Sequence, residues 1–125
     1  MRIALTLLFV LLSTAAAQAQ RVAVAGKPLL LHSVSSTNPD CSSRGEVVVR
    51  VTSPPSNGTI SIRKGGVFQN FAPSDSRNGC NRRRLAGSTP VYIARRGYTG
   101  PDAVTIEYIW PTGAQRAVTY NILVR

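Results

Sequence analysis

From residue 21 onward, no stretch of the chain repeats apolar side chains at the i, i+3, i+4, i+7 spacing that gives a helix one buried face. Short alternating runs recur instead, each soon closed by Gly, Pro, Asn, Ser or Thr. The clearest are AVTIEYIW, residues 103–110, and RAVTYNILV, residues 116–124, joined by the turn PTGAQ. Val104, Ile106 and Tyr108 share one face of the first; Val118, Tyr120, Ile122 and Val124 share one face of the second. GEVVVRVTS, from Gly45, places Val47, Val49 and Val51 opposite Glu46, Val48 and Arg50.

RVAVAG from Arg21 and KPLLLHS from Lys27 read as an opening strand pair or as one kinked strand. In SPPSNGT, Pro54 and Pro55 lack backbone donors and Asn57-Gly58 favours positive φ, which marks a turn. TISIRKGGVFQNF reads as a hairpin turning at Gly65-Gly66, with Val67 starting the return strand. A polar, irregular stretch from Ala72 to Thr89 follows, and PVYIA, from Pro90, resumes strand structure. About seven short strands in about 100 residues predict an all-β, antiparallel β-sandwich of immunoglobulin-like size. No internal repeat and no linker divides it.

The first twenty residues are set apart. Arg2 is followed by the apolar run Ile3–Leu12 and by the small-x-small triplet Ala17-Gln18-Ala19. This is the layout of a cleaved secretory signal at residues 1–19, leaving residues 20–125 as one domain. The run is shorter than the roughly 20 residues a membrane helix needs, and no later segment is apolar enough to span. The expected location is the periplasm or the exterior. In an oxidising compartment the only two cysteines, Cys41 and Cys80, are expected to form a disulfide rather than stay as buried thiols. Closing a loop of about 40 residues stabilises a fold by about 4 kcal/mol in the chain-entropy model.

Charge is the sharpest anomaly of composition. Fifteen Lys and Arg face five Asp and Glu. Without Arg2, 14 basic residues against 5 acidic ones leave +9, and 12 of the 14 are arginine. Arginine carries the planar fork that grips carboxylate and phosphate. Arg77, Arg82, Arg83 and Arg84 cluster around Cys80, and Arg95 and Arg96 follow on the far side of PVYIA. With that strand between them, the two groups are expected about 15–20 Å apart, at opposite ends of the sandwich. They are candidate contacts for an anionic envelope component: lipid, polysaccharide or an acidic protein.

Residues 46–124 resemble the bacterial immunoglobulin-like or cadherin-like modules that occur in tandem in surface proteins. The resemblance rests on Pro55-Ser56-Asn57-Gly58-Thr59, on Tyr92, and on the run from Tyr98 through Gly100, Pro101 and Asp102 to Ile106. It implies a structural, non-catalytic module. In this reading Gly97, Gly100, Pro101 and Asp102 form a corner, with Asp102 accepting nearby backbone amides as the chain enters the next strand. The chain departs from the family in being one module, in its cysteine pair and in its Arg-rich segment, and it lacks cadherin-type calcium ligands.

Other chemistry finds little to work with. His32 is the sole histidine, no CxxC spacing occurs, and the five acids are scattered, so no catalytic residue, metal or cofactor is expected. Stacking platforms for nucleic acid are not evident. Asn57-Gly58-Thr59 is formally a glycosylation sequon, which the turn already explains. The competing function is a protease inhibitor presenting Arg82 to Leu85 as bait.

Overall fold

The computed structural model describes residues 19–125; the signal-peptide reading of residues 1–19 lies, but for its last residue, outside the described residues. The fold is all-β. Eight strands are described: β1 (Arg21–Ala23), β2 (Leu29–Leu30), β3 (Val34–Ser35), β4 (Val48–Ser53), β5 (Gly58–Val67), β6 (Leu85–Ala94), β7 (Gly100–Ile109) and β8 (Gln115–Val124). A 3-10 turn, Asn78–Arg82, lies between β5 and β6. No helix among the described residues is long and apolar enough to cross a membrane.

One sheet runs β1-β8-β7-β4. In the other, β6 is central: β5 pairs along its full length, and β2 and β3 share its opposite edge in succession. The alternation in β7 and β8 sets which side chains face inward. Val104, Ile106, Tyr108, Tyr120, Ile122 and Val124 meet Leu31, Val34, Tyr92 and Ala94 of the other sheet in one buried cluster. A smaller cluster of Val67, Cys80 and Leu85 surrounds the Cys41–Cys80 disulfide, which ties the loop before β4 to the segment before β6.

Several expectations are corrected. The opening runs do not pair with each other: β1 joins one sheet, parallel to β8, and β2 joins the second. The sandwich is therefore not wholly antiparallel. Gly65-Gly66 does not turn. Both glycines lie inside β5, opposite Gly87 and Ala86 of β6, and the Arg84 side chain crosses Gly66 so closely that a Cβ there would fall 2.6 Å from its Nε. Cross-strand pairing overrides the local glycine signal. The irregular stretch ends at Arg84, because Leu85–Thr89 already belongs to β6. Gly58 shows no positive φ; a Cβ there would meet the Tyr92 ring at 2.6 Å.

Pro90 explains why the β2–β3 edge is broken. Its carbonyl accepts the Leu31 amide at 2.9 Å, so its nitrogen, which has no hydrogen, faces the same edge. The ladder stops at Leu30 opposite Val91 and restarts at Val34 opposite Ser88. His32 sits in that gap.

Candidate functional site

The corner residues separate. Gly97, at φ 80°, occupies the turn in which the Tyr98 amide donates to the Arg95 carbonyl at 3.1 Å. Gly100, Pro101 and Asp102 already lie on β7, opposite Val124, Leu123 and Ile122. Asp102 is the hub: its carboxylate accepts the amides of Ser56 and Asn57 at 3.0 Å, its neighbour Ala103 at 2.9 Å and the Tyr92 hydroxyl at 2.8 Å. Burial alone would raise its pKa, but the Tyr92 hydroxyl and the three amides outweigh it and hold the carboxyl below its ordinary value. Thus the β4–β5 turn, β6 and β7 are clasped at one side chain.

The loop from Phe68 to Arg84 is internally braced. Asn81 accepts the Phe71 amide at 2.8 Å, and Asn78 and Asn81 both donate to the Phe71 carbonyl at 2.9 Å. Arg77 is committed within it. Its guanidinium forks onto Asp75 at 2.9 and 2.7 Å and lies over the Phe71 ring at 4.3 Å. The Arg77 side chain and amide hold Asp75 at about 2. Arg82, Arg83 and Arg84 are exposed, whereas Leu85 is buried and paired with Val67. Arg84 borders an open hollow of about 540 Å³ that also holds the Glu46–Lys64 ion pair.

Arg95 and Arg96 are exposed at the other end of β6. Arg95 reaches the Asn57 side chain at 3.3 Å. Arg84 and Arg95 flank a ten-residue strand, which sets them about 36 Å apart at about 3.3 Å per residue. The expected 15–20 Å was short because PVYIA is only the second half of that strand. The two groups are not brought together.

All five carboxylates are engaged. Three form the ion pairs Arg50–Glu107, Lys64–Glu46 and Arg77–Asp75. Asp102 serves the clasp, and Asp40 accepts the Ser42 amide and hydroxyl, with Arg83 adding a weaker pull on its pKa. Among the described residues, no ion pair joins an Asp or Glu side chain to Arg82, Arg84, Arg95 or Arg96. No cluster of three or more His, Cys, Asp or Glu suited to a metal occurs among the described residues.

A second locus was missed in the sequence. Between the sheets, beside the Pro90 gap, a hollow of about 230 Å³ is lined by Arg21, His32, Tyr108, Trp110, Arg116, Val118 and Tyr120. The Tyr108 and Tyr120 hydroxyls are bonded to each other at 2.7 Å, and the Tyr108 hydroxyl lies 3.5 Å from the His32 carbonyl. Desolvation and the Tyr120 contact push the Tyr108 pKa up. His32, partly exposed, has its pKa lowered by desolvation of its ring, then by Arg116 and Arg21. The signal was present: Arg116 has the inward parity of Val118 and Tyr120, and Arg21 that of buried Ala23.

No protein-family model matches the chain, and no curated protein matches it. Among solved structures, the solution structure of amebosin is similar at a TM-score of 0.42 and 16% identity, over 85% of this chain and 88% of that chain.

Proposed function

We propose that this chain is a small exported, non-catalytic binding module of the bacterial envelope, built as an immunoglobulin-like sandwich. It meets an anionic partner through Arg82, Arg83 and Arg84, with Arg95 and Arg96 as a second contact. Arg77 has no part in this, because Asp75 and Phe71 already hold it. The observation that carries the reading is the engagement of every Asp and Glu side chain elsewhere, which leaves Arg82, Arg84, Arg95 and Arg96 without an ion-pair partner among the described residues, while Arg83 feels only the weak pull of Asp40. Excess charge of one sign, fixed on a braced loop, favours an anionic surface and draws it in over distance. Export is supported by the disulfide, which suits an oxidising compartment such as the periplasm. The immunoglobulin-like assignment is supported by the two facing sheets and by the clasp that joins Ser56–Asn57, Tyr92 and Asp102. No observation favours protease inhibition, since Leu85 is 4% exposed and held in β6.

A pull-down of envelope fractions with the oxidised protein, across a salt series, tests the reading. Binding at low salt that weakens as salt rises, and is lost when Arg82, Arg83 and Arg84 all become Ser, is the expected result. Equal behaviour of both proteins would show that the charge is background.

A further inference from the structure

We propose that the hollow formed by Arg21, His32, Tyr108, Trp110, Arg116 and Tyr120 binds a carboxylate carried on a single six-membered ring. The inference does not rest on the arginine loop, from which no residue lines this hollow.

Size sets the first limit. At about 230 Å³ the space lies below the roughly 300 Å³ at which drug-sized sites begin, so it suits one ring rather than a chain of them. The walls set the second. Tyr108 and Trp110 stand with centroids 6.2 Å apart, and His32 meets Tyr108 edge-on at 6.4 Å. Such surfaces favour the flat face of a ring.

Charge sets the third. Arg116 sits on the inward parity of β8, where Val118, Tyr120, Ile122 and Val124 continue the same face. Arg21 is positioned over the Tyr120 ring at 5.4 Å and reaches the Leu30 carbonyl at 3.4 Å. No acidic side chain lines this hollow or the two adjoining ones that share His32, so the positive charge at its mouth is not answered from within. A guanidinium fork matches the two oxygens of a carboxylate. The tyrosine pair adds a polar floor. Of its two hydroxyl protons one bridges the pair; the other has the long contact to the His32 carbonyl or a ligand oxygen. A sugar acid and an aromatic acid share this chemistry, and separate titrations distinguish them.

The chain holds one tryptophan, and it lines this hollow, so its fluorescence reports occupancy directly. Glucuronate and benzoate would each be titrated into the oxidised protein, with glucose and inorganic phosphate as comparisons. Saturable change with glucuronate, benzoate or both, but not with glucose or phosphate, is expected. Arg116→Gln, at an exposed position, should weaken that binding about tenfold or more, as loss of a charged hydrogen bond does. The Arg82, Arg83, Arg84 to Ser protein should bind as before, whatever it does with envelope fractions. Three results would each overturn the proposal: no saturable change with either acid, an equal response to phosphate or glucose, or unchanged affinity in Arg116→Gln.

Discussion

Four donors converge on Asp102, and only one of them, the Tyr92 hydroxyl, is a side chain. Tyr92→Phe removes that donor without opening a cavity, and should cost about 2 kcal/mol, the usual value for a hydrogen bond to a charged acceptor. Urea unfolding measures it; an unchanged midpoint would mean the amides alone suffice. The same carboxylate makes stability pH-dependent. Its folded pKa is depressed, as is that of Asp75, so the contribution is complete above the unfolded value near 4 and is lost as pH falls through the folded values. The wild-type protein should therefore lose stability between about pH 4 and pH 2, and Asp102→Asn should lose less over that interval. Parallel losses in the two proteins, read from unfolding midpoints at pH 5 and pH 3, would place the acid sensitivity elsewhere.

The elements differ in how far they could be read in advance. In β7 and β8 the inward set was legible because strict alternation leaves one register that buries Val104, Ile106, Tyr108, Tyr120, Ile122 and Val124. At Gly65-Gly66 the local signal pointed to a turn, yet the pairing of β5 with β6 was decided by Gly87 and Ala86, 22 and 20 positions away. The Tyr108 hollow was illegible for a related reason: Arg21 and Arg116 lie on β1 and β8 of one sheet, His32 comes from the gap between β2 and β3, and only the tertiary fold makes them neighbours. The cysteine pair, by contrast, followed from count and compartment. It holds the Arg-rich loop against the segment before β4, closing a separation of 39 residues. Replacing both cysteines with Ser should cost about 2–4 kcal/mol. Hydrogen exchange should show protection lost first around residues 36–45 and 68–84, with the β7–β8 hairpin kept; uniform loss would mean the loop and the sandwich unfold as one unit.

At the scale of the whole molecule, net charge and sheet edges govern how copies meet. β5 is an outer strand ten residues long, with Ile62 exposed, and Arg63 and Lys64 stand beside it. Charged side chains on such a strand discourage pairing with another chain. A protein carrying Arg63→Thr and Lys64→Thr should self-associate more than the wild type in sedimentation at equal concentration; identical profiles would assign the protection to net charge instead. The opposite edge of that sheet needs no such guard. Because the ladder on β6 lapses between Leu30 and Val34, opposite Pro90, an incoming strand would find only two separate two-residue pieces, β2 and β3, to pair with. Zippering that starts at β2 would stall before it reached β3. Growth of this sheet into a fibre is thereby confined to its β5 side, and a fibre cannot lengthen from a sheet that can be joined on one side alone.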